Sequence, residues 1–239
     1  MLFAAGKGTR LKPLTDHMPK ALVEVGGRPL LDIVMCRLVA AGVSEVVINV
    51  HHFASQITDY IATHDWGVPV KVSDESDALL DTGGGLRKAL PLFTPGDAPI
   101  LLHNVDILSD ADLTAFYARS AGYDATLMVS DRVTQRYLLF DDDGLLRGWT
   151  NIATGEVRSP YPHLDVDRLH RHAFSGIHCV SPSLLKHMKD WPEKYPIMDF
   201  YLSMCDKLAI HADFRPSLHL LDVGKQDTLS AAEAFLSNL

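Results

Sequence analysis

The segment Ala4-Ala5-Gly6-Lys7-Gly8-Thr9-Arg10-Leu11 follows a short apolar run, and Pro13-Leu14-Thr15 and Pro19-Lys20-Ala21-Leu22 come soon after it. Two glycines after a buried strand let backbone N–H groups approach a phosphate or a base closely. Lys7, Arg10 and Lys20 add positive charge that can converge on a triphosphate. The spacing is not that of a P-loop, and the dinucleotide fingerprint lacks its third glycine, so a G-x-G alone is more often a tight turn. Further along, Asn104-Val105-Asp106 forms a polar corner after an apolar run, and Asp222 precedes Val223-Gly224. Each residue has a structural alternative. Arg10 can be a solvated loop cation, Asp222 a turn residue, and Asp106 a helix N-cap, although Asp110 is better placed for that. Their combination in one order is what favours chemistry.

The elements that must position these residues are legible from periodicity. Met1 to Ala5 reads as a short buried strand and Gly6 to Thr15 as a glycine-containing loop. Leu30 to Ala41 has helical apolar spacing and ends at Gly42, a plausible C-cap. Glu45 to Val50 is a β-branched run expected of a strand covered on both faces. Phe53 to Thr63 is helical, Pro69 to Val72 a strand, and Pro99 to His103 another buried strand. This alternation predicts a parallel sheet of βαβ units. Ala125 to Val129, Tyr137 to Phe140 and Leu145 to Trp149 read as strands, with Asp141-Asp142-Asp143-Gly144 a hairpin turn. Asn151 to Arg171 has no clear period and reads as a long loop or lid. Phe174 to Val180 is a strand, Ser181-Pro182 starts a helix, Leu218 to Leu221 is a strand and Asp227 to Leu239 a closing amphipathic helix. The economical description is one domain over 1–239 with a small antiparallel insertion, its first half about 1–120 and its second about 121–239.

The composition excludes several classes. The chain has 239 residues, 47% hydrophobic and 22% charged, with a formal net charge of -8, so a nucleic-acid footprint is not expected. No segment approaches the ~20 apolar residues of a membrane span, and no signal peptide opens the chain. Cytoplasmic location is expected, with a monomer slightly favoured. Cys36, Cys179 and Cys205 form no C-x-x-C pair and read as buried reduced thiols. His51-His52 and His170-Arg171-His172 lack a third ligand at zinc spacing. Asp141 to Asp143 read as a solvated turn. Trp149 offers an apolar face for stacking on a sugar or base, but a core tryptophan is the commoner case.

Taken together, the glycine loop, Arg10 and Pro19-Lys20 resemble the signature of the sugar-phosphate nucleotidylyltransferases. The likeness continues at Thr82-Gly83-Gly84-Gly85, at Asp106, at Phe174-Ser175-Gly176-Ile177 and at Asp222-Val223-Gly224. Its nearest look is to the small bacterial uridylyltransferases acting on N-acetylmuramic acid 1-phosphate. The resemblance implies a Rossmann-like, doubly wound α/β fold with a mixed, mostly parallel sheet. It implies that Ala4, Ala5, Gly6, Gly8, Thr9, Thr82, Gly83 and Asn104 bind a nucleoside triphosphate, with Thr82 to Gly85 a loop beside the base. Trp149, Asn151, Ser175 and Gly176 fall on the sugar-phosphate side. Arg10 and Lys20 are the implied charge stabilisers, and Asp106 and Asp222 the ligands of Mg²⁺. UTP is the implied donor and a sugar 1-phosphate the acceptor. The Glu-Lys-Pro segment that grips the sugar phosphate in larger relatives is absent, and Gly148-Trp149-Thr150-Asn151 occupies its region.

The chemistry accounts for these residue types independently. A phosphate monoester is already ionised near neutral pH, its second pKa being about 6, so no general base is required. The need is to neutralise clustered negative charge, which Mg²⁺ on carboxylates and aimed Lys and Arg side chains supply. The alternatives are guanylyl or cytidylyl transfer to mannose 1-phosphate or phosphocholine, and a catalytically silent sugar-nucleotide sensor. A sensor has no need of both carboxylates. Convergence of Asp106 and Asp222, both facing the Gly6 to Arg10 loop, is the sharpest structural expectation.

Overall fold

The computed structural model describes residues 1–225 and 227–237. After β1 (Leu2–Phe3) come single 3-10 turns at Thr9–Leu11, Leu14–Asp16 and Lys20–Leu22, then a ribbon of β2 (Glu24–Val25) and β3 (Arg28–Pro29). α1 (Leu30–Ala40), β4 (Val46–Val50), α2 (Ala54–Ala62), β5 (Val70–Asp74), α3 (Asp81–Ala89) and β6 (Ile100–Asn104) follow in strict alternation. The second half holds β7 (Ile107–Ser109), α4 (Leu113–Arg119), β8 (Ala125–Ser130), β9 (Arg136–Phe140), β10 (Leu146–Asn151) and β11 (Glu156–Arg158). It ends with β12 (His170–Val180), α5 (Pro182–Lys186), α6 (Ile197–Met204), β13 (Ile210–Phe214), β14 (Leu220–Asp222) and α7 (Asp227–Leu236).

The main sheet is mixed and doubly wound, as the resemblance implies. β6, β1, β4 and β5 lie side by side and parallel. β12 adds antiparallel to β6, and β9, β10 and β11 continue antiparallel from it. β8 pairs with β12, and β13 runs parallel to β8. From β1 the chain moves to β4 and β5 and then returns to β6 on the other side of β1. That reversal opens a crevice at the carboxyl ends of β1 and β6, where ligands of open α/β sheets gather.

Alternation along the strands builds two cores. Val46, Ile48 and Val50 of β4 face α1, α2, α4 and α7, whereas Val47 faces α3, α5 and α6. Successive side chains of a strand point to opposite faces, so a β-branched run buried throughout needs helices on both sides. Each such buried side chain contributes about 2 kcal/mol. α1 stops where Gly42, at φ 84, takes the left-handed conformation and donates to the Val39 carbonyl, as a glycine at a helix end does.

Several boundaries differ from expectation for identifiable reasons. The first strand is only Leu2–Phe3, because the Ala4 N–H turns to the Asn49 side chain. Asp110 does not cap α4. Asp112 does, accepting from Ala115 N at 2.9 Å, while Asp110 pairs with His219. Cys36 is exposed beside Arg28, on the outer face of α1. The expected 151–171 lid is partly ordered: β11 pairs with β10, and a 3-10 turn at Val166–Arg168 leads into β12, which begins at His170. Asp141 does turn the β9–β10 hairpin, accepting from Asp143 and Leu145 N–H, and it also ion-pairs with Arg147. The closing helix is seen over Asp227–Leu236, and Asn238 and Leu239 lie outside the described residues.

Candidate active site

A cavity of about 470 Å³ occupies the crevice, lined among others by Ala4, Ala5, Gly6, Gly8, Thr9, Arg10, Lys20, Thr82, Asn104 and Asp106. Residue choice in the glycine loop follows from geometry. Gly8 sits at φ 63, and a Cβ there would lie 2.8 Å from Thr15 Cγ2 and 3.0 Å from Lys20 Cβ. Gly8 thus lets the loop fold back on the segment that carries Lys20, and Thr15 Oγ1 donates to the Gly8 carbonyl at 2.8 Å. A Cβ on Gly6 would meet nothing within 4 Å, so that position is open toward whatever enters the cavity. A larger cavity, about 660 Å³, opens at the other end of the strands, but among the described residues Glu45 has the only charged side chain lining it. Volume alone does not mark the site; converging charge does.

Asp106 and Asp222, 116 positions apart (222 − 106), are neighbours. β7 and β14 pair antiparallel with Asp222 opposite Ile107, and the Val223 N–H donates to the Asp106 carbonyl at 2.8 Å. Lys20, 8% exposed, places its ammonium on Asp106. The Arg10 guanidinium lies 3.9 Å from the Asp222 carboxylate. Gly224 makes this possible, since a Cβ there would lie 2.6 Å from Asp222 Oδ1 and 2.7 Å from Arg10 Nη2. The Asp222 carboxyl is held above its ordinary value, first by desolvation and second by the Asp106 charge; Lys20, Arg10 and Arg132 pull the other way. A pair of adjacent carboxylates is a hard oxygen donor set of the kind Mg²⁺ takes, with water and phosphate oxygens filling its remaining positions. The residues therefore fit that ion.

Other expected site residues fall differently. Thr82 to Gly85 are not a loop but the first turns of α3, and their glycines serve packing. A Cβ on Gly83 would lie 2.2 Å from the Tyr195 ring, and one on Gly84 2.2 Å from the Glu193 carbonyl. Gly83 N–H donates to the Tyr195 carbonyl, and Thr82 Oγ1 accepts from the N–H of Ile197 at the start of α6. Thr82 lines the cavity and Gly83 does not. Gly176 (φ 80) leaves room for the Asn104 amide, 2.8 Å from where a Cβ would sit. Ser175 is buried, with its hydroxyl accepting from Ile177 N. Trp149 and Asn151 lie on β10, separated from β12 by β9. Trp149 packs on the α3–α6 core beneath Arg158, and Asn151 holds its own turn by accepting from Ala153 N. Neither lines the cavity.

Two features of the site escaped the sequence reading. Arg132, just beyond β8, donates to the Phe174 carbonyl at 3.3 Å and acts electrostatically on Asp222. Asn49, at the carboxyl half of β4, lines the cavity and is 2% exposed. A polar residue inside the apolar run Val46 to Val50 was the available signal for Asn49. Nothing in the spacing marks Arg132.

The doubly wound sheet thus carries a glycine loop, two cations and two carboxylates at its switch point. The chain belongs to the nucleotidyl transferase family, whose model matches residues 1–137. It is 43% identical over 118 residues to an N-acetylmuramate alpha-1-phosphate uridylyltransferase of Neisseria meningitidis serogroup B, a match covering 49% of this chain and 50% of that protein. The match thus spans about half the length of that relative. A mannose-1-phosphate guanyltransferase of Debaryomyces hansenii aligns over 100% of this chain and 65% of its own length at 27% identity. Among solved structures, HddC from Yersinia pseudotuberculosis complexed with GMP-PN superposes with a TM-score of 0.76 at 22% identity, covering 98% and 97% of the two chains. That likeness concerns the fold.

Proposed function

We propose that this protein transfers a nucleotidyl group from a nucleoside triphosphate, UTP first, to a sugar 1-phosphate, with Mg²⁺ held by Asp106 and Asp222. The observation that carries the reading is the pairing of Lys20 with Asp106 and of Arg10 with Asp222 on backbones joined by β7 and β14, with Arg10, Lys20 and Asp106 lining the glycine-loop cavity. An oxygen of the sugar 1-phosphate attacks the α-phosphorus; the bond from that phosphorus to the bridging oxygen breaks, and pyrophosphate leaves. The glycine loop holds the triphosphate through backbone N–H groups, and Gly6 allows close approach. Lys20 and Arg10 stabilise charge on the reacting phosphates. Bound Mg²⁺ would neutralise further charge there. Arg132, tethered to the Phe174 carbonyl of β12, adds positive charge that acts on Asp222.

Guanylyl transfer is the second reading, favoured by the alignment of the whole chain with mannose-1-phosphate guanyltransferases. Pyrophosphate release from a panel of nucleoside triphosphates crossed with sugar 1-phosphates decides between them. The expected outcome is fastest release with UTP; a preference for GTP selects the second reading, and no release from any pair leaves only the silent sensor. Within the active pair, Asp106→Asn should lower kcat/KM by about 10³-fold or more, the scale of a lost transition-state stabiliser, with an unchanged circular dichroism spectrum.

A further inference from the structure

Beneath the cavity runs a buried chain of hydrogen bonds that belongs to neither metal nor phosphate chemistry. Asn49 Oδ1 accepts from Ala4 N–H at 2.9 Å, and Asn49 Nδ2 donates to Glu75 Oε1 at 2.7 Å. Glu75 Oε2 accepts from Leu80 N–H at 3.1 Å. Asn49 is 2% exposed and Glu75 fully buried. Ala4 is where the glycine loop leaves β1, and Leu80 immediately precedes Asp81 and Thr82, which line the same cavity as that loop. The Leu80 carbonyl is also engaged, accepting from Tyr195 N–H. Asp81 then adopts φ 59, a left-handed turn that Asp tolerates better than most side chains. Gly85 completes the arrangement, since a Cβ there would lie 2.6 Å from Glu75 Oε1 and 2.9 Å from Asn49 Nδ2.

We infer that Asn49 and Glu75 are positioning residues that fix the spacing between two walls of the nucleotide cavity, the glycine loop and the Asp81-Thr82 corner. The inference rests on the reading of that cavity as the nucleotide site. A buried carboxylate engaged by neutral N–H donors is costly unless every partner is in place, and here both donors belong to, or lead to, a cavity wall. Loss of one bond leaves a buried polar group unsatisfied and frees one wall.

The polarity of the chain can be reversed, which supplies the test. Glu75→Gln keeps the shape but can no longer accept from both Asn49 and Leu80. Asn49→Asp can no longer donate to Glu75. In the double variant the carboxylate introduced at position 49 accepts both from Ala4 N–H and from the amide introduced at position 75. The oxygen of that amide accepts from Leu80 N–H, so all three links reform. Calorimetric titration with UTP and GTP, beside steady-state kinetics, should show each single variant weakening nucleotide binding roughly tenfold. The KM for the sugar 1-phosphate should stay within about twofold. The double variant should recover nucleotide affinity to within about threefold of wild type. Single variants that melt earlier yet bind nucleotide normally would overturn the inference, as would a double variant no better than the worse single one. If Asn49→Asp does not fold, Glu75→Gln alone decides by the same contrast. Wild-type protein that binds nucleotide but releases no pyrophosphate sinks the proposed activity and leaves the binding test intact. Wild type that binds no nucleotide overturns both.

Discussion

The two halves of the molecule place their polar residues by different means. In the first half, the loop from Ala4 to Lys20 is contiguous in sequence, and its Lys7, Thr9, Arg10 and Lys20 line one cavity. In the second half, the candidates Trp149 and Asn151 sit on β10, while Ser175 and Gly176 sit on β12, Gly176 against Asn104, and β9 runs between the two strands. A loop at the end of a parallel strand opens onto the crevice where ligands of such sheets bind, so neighbouring residues on it can reach one site. Strands of an antiparallel extension alternate their side chains between faces and move away from the crevice with each added strand. Proximity in sequence therefore implies proximity to the chemistry in the first half and does not in the second.

Paired truncations would break this contrast most directly. Lys20→Ala should lower kcat by roughly 10²–10³-fold, as lost electrostatic stabilisers do, with a smaller change in nucleotide KM. Trp149→Ala should cost about 1–3 kcal/mol of stability through lost packing and leave the sugar-phosphate KM within about twofold. Steady-state kinetics and urea unfolding on both variants check this. A Trp149→Ala enzyme with intact stability and a much raised sugar-phosphate KM would mean that β10 swings toward the crevice in the working enzyme.

The same contrast explains what could be read before the structure. The alternation of strands and helices through Pro99 to His103 was legible because apolar periodicity is a local signal; the approach of Asp106 to Asp222 was implied by the family resemblance, with which the polar corners at the ends of both apolar runs agree. The Thr82-Gly83-Gly84-Gly85 run looked like a ligand loop because glycine reads the same whether it makes room for a nucleotide or for a neighbouring side chain. Here the neighbour is Tyr195, more than a hundred residues away in the chain, and no local pattern records it. Asp110 and Asp112 are both acceptable caps, and His219, another distant partner, takes the first. The buried Asn49–Glu75 pair is likewise a tertiary fact, visible in the sequence only as a polar residue inside a β-branched run.

Within the glycine loop, the two glycines should separate binding from folding. A Cβ on Gly6 meets no protein atom within 4 Å, so Gly6→Ala should leave the melting temperature within about a degree while weakening nucleotide binding roughly 10- to 100-fold. Gly8→Ala forces an L side chain into a left-handed conformation and presses on Thr15 and Lys20. It should lose about 1 kcal/mol of stability as well as affinity. Calorimetric binding beside thermal melts distinguishes the two. Equal loss of melting temperature in both would show that the loop is an ordinary turn whose glycines serve the fold alone.

The seam between the halves carries the last and most gradual effect. His103 on β6 lies opposite Ile177, and His178 on β12 lies opposite Leu102, so both imidazoles sit in the pair of strands that joins the two regions. Burial pushes His103 down to about 4 and His178 down to about 3. In the unfolded chain both take up a proton near pH 6.5. Above that pH the imidazoles are neutral in both states and contribute no slope. As pH falls below it, the unfolded state binds protons that the folded state refuses, so stability declines until the folded values are reached. Each histidine should contribute roughly 1 kcal/mol of lost stability per pH unit between about pH 6 and pH 4. Partly buried His172 and His211 are lowered as well and act in the same direction. The buried Met1 amine, lowered from 8.0 to about 5, already costs stability as pH falls below 8, so urea midpoints measured from pH 8 down to pH 5 should fall gently at first and more steeply below about pH 6.5. His178→Gln should remove a share of that slope. A midpoint that stays level through pH 5 would mean that the seam admits protons or opens readily, and that the halves are joined more loosely than continuous pairing of β6 with β12 implies.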